Sequence, residues 1–82
     1  MRKELVLTNT IIMPIFLAPI NEEVTITHIH GDNKTVKHLQ DLGFTPGVKV
    51  RVMSKDKGAL IVYVFNSKLA LDRDIAEAIV VS

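Results

Sequence analysis

The sequence predicts a mainly β fold with one or two short helices: a small, partly open barrel of five strands. Three observations carry that prediction. Short runs of apolar residues alternate with polar ones at a period of two and are broken by tight-turn residues. Only Val36 to Leu42 repeats apolar residues at helical spacing. The chain has 82 residues, room for one core and no second.

Residues 1–12 are expected to form a flexible leader, with the folded domain running over 13–82. Met1-Arg2-Lys3 followed by the apolar Ile11 to Ile20 loosely mimics a signal peptide. Pro14 and Pro19 interrupt that run, however, and no small-residue cleavage site follows it. It also falls well short of the roughly 20 apolar residues that span a bilayer. Met13 to Leu17 therefore reads as a hydrophobic strap over part of the core, and Pro19-Ile20-Asn21-Glu22 as a turn. The first strand covers Glu23 to His30, with Val24, Ile26, His28 and His30 on one face and Thr25, Thr27 and Ile29 on the other. Its apolar side changes near His28, which predicts a bulge of the kind small barrels use to pass a strand between sheets.

Asp32 or Asn33 then caps a helix by accepting from its free amides. Val36, Leu39 and Leu42 define the helix's apolar side, and Gly43 stops it. Thr45-Pro46-Gly47-Val48 fits a type II turn, with proline second and glycine third. Val48, Val50 and Val52 alternate with Lys49, Arg51 and Met53 in the next strand. Lys55 to Gly58 is a polar loop. Leu60 to Phe65 is a strand apolar on both faces, so both should meet something. Asn66-Ser67 is expected to turn it into Lys68 to Leu71. Asp72 caps a short turn from Arg73 to Glu77, and Ile79 to Val81 is the last strand.

The chemistry is sparse. The formal charge of +1 favours no class of partner, and the absence of cysteine excludes disulfides, thiolate metal sites and cysteine nucleophiles. Ser54, Ser67 and Ser82 lack an adjacent base, Asp72 and Asp74 suit a helix start, and the glycines are too scattered to cradle a phosphate. No enzyme is predicted. His28 and His30, two apart on one strand face, can approach one divalent transition metal, with His38, Asp32 and Asp41 as candidates to complete an N/O shell. The competing reading makes them solvated rim positions. Lys34, Lys37, Lys49, Arg51, Lys55 and Lys57 could form a basic patch, but the aromatic residues Phe44, Tyr63 and Phe65 sit in apolar surroundings rather than among them, so nucleic acid is not expected. The apolar excess of Leu60 to Phe65 and of Met13 to Leu17 points instead to a protein-binding surface, or to one part of the chain covering the other.

Three segments carry a resemblance to a known family: MPIFLAPINEEVTITHIHG, KHLQDLGFTPGVKVRV and GALIVYVFNSKLALDRDIAEAIVV. Over residues 13–82 the chain resembles the FeoA family of bacterial ferrous iron uptake. The central motif is Leu39, Leu42, Gly43, Phe44, Pro46 and Gly47, and the closing motif Leu69, Ala70, Leu71, Arg73 and Ala76. The leader and Ile15-Phe16 depart from the family pattern. The resemblance implies an SH3-like barrel and a cytoplasmic, non-enzymatic accessory protein. Its implied partner is the cytosolic GTP-binding domain of the FeoB permease, with no membrane insertion of its own. FeoA-like modules also end repressors of the diphtheria toxin repressor type, whose winged-helix region has no counterpart here. The docking residues expected are Leu39, Leu42, Phe44, Tyr63 and Phe65. The alternative is direct binding of Fe2+ or another divalent transition metal through His28, His30 and His38, and less so an RNA-binding barrel. Self-association is left open.

Overall fold

In the computed structural model of the protein, residues 12–82 are described; the expected leader lies outside them except for Ile12. Six strands form one antiparallel sheet in the order β1-β6-β2-β3-β4-β5. They are β1 (Met13–Pro14), β2 (Glu23–Ile29), β3 (Lys49–Asp56), β4 (Ala59–Val64), β5 (Ser67–Asp72) and β6 (Ile79–Val81), with helices α1 (Asn33–Asp41) and α2 (Arg73–Ala76). The sheet curls without closing, which makes it a partly open barrel. The strand beyond the predicted five is β1, whose two residues pair with Val80 and Val81. Two residues are too few for any periodicity to announce them.

β2 is the strand the barrel turns on. Its first half, Glu23 to Thr25, pairs with β3, and its second half, from Ile26, pairs with β6. The register slips by one at Thr27, between the pairs Ile26–Val81 and His28–Val80. The expected bulge is therefore present, and it sets Ile29 rather than His28 inward. A second slip at Met53, between the pairs Val52–Val62 and Ser54–Ile61, bends β3 in the same way.

The strap is a single 3-10 turn, Ile15–Leu17, that buries Ile15 completely but leaves Leu17 exposed. The core beneath it is aliphatic: Ile26, Val50, Val52, Val62, Ile79 and Val81 are each almost fully buried, and among the described residues no polar or charged side chain is. The inward face of β4 is Leu60, Val62 and Val64, while Ile61 and Tyr63 on its other face stay partly open to solvent. Only one of the two apolar faces is covered.

The first helix was expected to be capped by Asp32 or Asn33 and the second by Asp72; the structure shows one aspartate cap. Asp32 accepts from the Thr35 amide at 2.8 Å. Asp72 holds the corresponding position before α2 but makes no side-chain cap bond. Its turn is instead tied by the Arg73 amide donating to the Gly58 carbonyl at 3.0 Å.

Candidate functional site

The centre of the candidate site is the C-terminus of α1. The Gly43 amide donates to the Gln40 carbonyl and the Phe44 amide to the Leu39 carbonyl, both at 2.9 Å. These are the two reversed bonds of a Schellman stop, which requires the left-handed φ of +97° at Gly43. The same stop brings Leu39 and Phe44 into the core, both at 0% exposure. Neither therefore has surface to offer a partner, which corrects their expected role in docking: the helix end turns them inward together. Leu42, between them, remains 39% exposed.

The predicted type II turn follows. Gly47 has φ +95° and the Val48 amide donates to the Thr45 carbonyl at 3.1 Å. The turn is tied to β2, since the Gly47 amide donates to the Ile26 carbonyl at 2.8 Å and the Ile26 amide to the Val48 carbonyl at 2.9 Å.

The β4–β5 hairpin meets this corner from the other side. Val64 pairs with Ser67, so the two-residue loop is Phe65-Asn66, one residue earlier than the expected Asn66-Ser67. Both loop residues are left-handed, at φ 52° and 63°, the pattern of a type I′ turn. Asparagine suits such a position. A phenylalanine there costs roughly 1–2 kcal/mol. Its ring lies over Gly43 so closely that a Cβ on that glycine would stand 2.7 Å from Phe65 Cε2. Even so, Phe65 is 64% exposed, and Tyr63 two residues earlier is 38% exposed. Leu42, Tyr63 and Phe65 are thus the docking candidates that keep accessible surface.

A shallow groove of about 210 Å³ runs beside them, lined by Glu23, Lys49, Arg51, Tyr63 and Phe65 among others. The charged members were not among the expected docking residues, because cross-strand register is not written in any one strand. A second groove, about 180 Å³, lies under Phe16, Leu60 and Arg73. There the Arg73 guanidinium sits 5.2 Å from the centre of the Phe16 ring, fastening the strap to α2.

His28 and His30 stack with ring centres 6.0 Å apart and planes 15° from parallel. Parallel rings aim their nitrogen lone pairs side by side rather than at one point, so a shared metal would require a ring to rotate. His38 is on the exposed side of α1, and among the described residues no three histidine or acidic side chains converge on a metal-sized site. Of the lysines considered for nucleic acid, Lys37 pairs with Asp41 at 4.0 Å and Lys49 with Glu23 at 3.9 Å. Lys55 and Lys57 lie past the second bulge, at the tip of the β3–β4 hairpin. Asp32 titrates below its ordinary range because the Thr35 amide bonds to its ionised form. Among the described residues no helix is long and apolar enough to cross a membrane.

The FeoA domain model matches residues 13–82. Among solved structures, the crystal structure of an iron uptake regulatory protein, FeoA, superposes with TM-score 0.79 at 21% identity, covering 88% of this chain and 96% of the other. The NMR structure of an FeoA-like protein from Clostridium acetobutylicum gives TM-score 0.79 at 19% identity, covering 89% and 87%. A manganese-dependent transcriptional repressor gives TM-score 0.78 at 18% identity; 85% of this chain covers only 40% of the repressor. At these identities the superpositions establish a shared fold. No curated protein matches by sequence at a significant level. With its central motif stopping α1 and turning into β3, and the family model spanning all but the first twelve residues, the chain belongs to the FeoA domain family.

Proposed function

We propose that this chain is a non-enzymatic accessory protein of bacterial ferrous iron uptake, working in the cytoplasm by docking to the GTP-binding domain of an FeoB-type permease. The contact surface is the corner formed by Leu42, Tyr63 and Phe65. The observation that carries the reading is Phe65: a large ring, 64% exposed, in a left-handed turn position that disfavours it. The backbone strain is spent on a ring that stays largely in solvent, and aromatic residues, phenylalanine among them, are enriched in the cores of protein interfaces. Family membership supplies the transport context, and the shared fold with FeoA structures is in keeping with it.

The test is binding of the purified chain to the permease's cytosolic domain in its GTP-analogue and GDP states, read by calorimetry. Phe65→Ala and Leu42→Ala should each weaken binding by about tenfold while the far-ultraviolet spectrum stays unchanged. If wild-type protein binds neither nucleotide state, the proposal fails.

A further inference from the structure

An exposed row of side chains crosses four strands beside Phe65. The register sets Glu23 of β2 against Arg51 of β3, Arg51 against Tyr63 of β4, and Tyr63 against Lys68 of β5. Register partners project to the same side of a sheet, so the Tyr63 ring stands between a guanidinium and an ammonium. Lys49, two residues from Arg51, shares that side. Of these three cations, only Lys49 has a carboxylate within ion-pair reach among the described residues, Glu23 at 3.9 Å. Arg51 and Lys68 are exposed and unpaired there. Arg51 and Lys68 therefore flank Tyr63 in the row; Arg51, Tyr63 and Phe65 line a groove of about 210 Å³, and Lys68 stands beside Tyr63 on the neighbouring strand.

We infer that this face takes an acidic segment of the partner protein, with its carboxylates on Arg51 and Lys68 and an apolar side chain over Tyr63 and Phe65. The inference rests on the docking proposal above and adds the partner's chemistry to it. Charge complementarity selects the occupant. A bare hydrophobic partner would leave the two cations facing apolar surface, which opposes binding. A nucleic acid carries a charge on every nucleotide and needs a continuous basic track, whereas this row offers two cations and then the Glu23–Lys49 pair, enough for a short acidic segment only. A net charge of +1 gives the phosphate chain no wider field to follow. At solvated positions the two cations act mainly on association rate and on choice of partner, while the rings supply the hold.

The test uses the 15N-labelled full chain and three probes: a short peptide of aspartates and glutamates around a central phenylalanine, the same peptide with lysines in place of the acids, and oligouridylate. The acidic peptide should shift the amides of Arg51, Tyr63, Phe65 and Lys68, and the lysine peptide should leave them in place. Combining Arg51→Glu with Lys68→Glu should weaken the acidic peptide about tenfold or more while the rest of the spectrum keeps its folded pattern. Unmoved amides, tighter oligouridylate binding at the same face, or the same shifts produced by concentrating the chain alone would each overturn the inference. The permease domain separates the two proposals. Wild-type binding that survives both charge reversals leaves docking standing and removes the acidic segment. Absence of wild-type binding removes docking to the permease, and the peptide titration still decides the chemistry of the face.

Discussion

Gly43 carries two constraints, and magnitudes show which one governs. A side chain there would be strained at φ +97° by about 1–2 kcal/mol, and its Cβ would meet Phe65 Cε2 at 2.7 Å. The ring is exposed and free to swing aside, so the backbone term wins. Gly43→Ala should therefore destabilise the fold by about 1–2 kcal/mol in chemical denaturation. It should cost nearly as much in a Phe65→Ala background; a cost that vanishes there would show the ring, not the backbone, to be responsible. Phe65→Asn makes the opposite point, because asparagine accepts the left-handed position. Its stability should be unchanged or raised by up to about 1 kcal/mol while permease binding falls. Asp32 supplies the pH dependence. Its carboxyl titrates lower in the folded chain than its ordinary 3.8. The cap's contribution is thus complete above that value and is lost as pH falls through the lower, folded one. Asp32→Asn keeps an acceptor at the cap and should abolish this acid step in melting temperature measured against pH.

At the scale of elements, α1 is held to the sheet through few side chains, of which only Leu39 is fully buried. Leu39→Ala should cost about 2–5 kcal/mol, whereas Leu42→Ala should cost less than about 1 kcal/mol because its side chain is already partly in water. Urea titrations of the two variants test whether the motif divides in this way. The elements themselves were legible where the signal is local: the alternation of β3, the glycine stop, the Pro46-Gly47 turn, and the bulge in β2 where the apolar side changes. What was not legible is non-local. Leu39, Leu42 and Phe44 look alike as apolar residues near a helix end, and only their packing in the folded chain, with the helix stop turning two of them inward, decides that two are core and one is surface. Phe65 reads as the last residue of an apolar strand. Its place in the turn follows from Val64 pairing with Ser67, a register set by the partner strand. The row from Glu23 to Lys68 exists only once three strand pairings are fixed.

For the whole molecule, the open sheet and the lightly anchored helix give an uneven distribution of stability. β2 and β3 sit between partners on both sides, while β5 and β1 are edges. In native-state hydrogen exchange, the amides that pair β2 with β3 and β3 with β4 should be the last to exchange, and those of α1 should exchange through a lower-energy opening. Uniform protection across the chain would contradict this account of how α1 is held. The edge β5 carries Lys68 and Asp72, charges that oppose pairing with the edge of another molecule. The proposed docking corner lies where the rigid and the loose parts meet: Tyr63 on the sheet, Leu42 on the helix end, and the Phe65 ring over Gly43.

That ring also makes the molecule its own spectroscopic beacon. The hydrogen of Gly43 that stands in place of a Cβ points into the face or edge of an aromatic ring, whose circulating electrons displace its resonance. Lifting or tilting the ring, whether by a partner, a peptide or a substitution, changes that displacement at an atom the intruder does not touch. The two α-proton signals of one glycine would then report occupancy of the corner without any label.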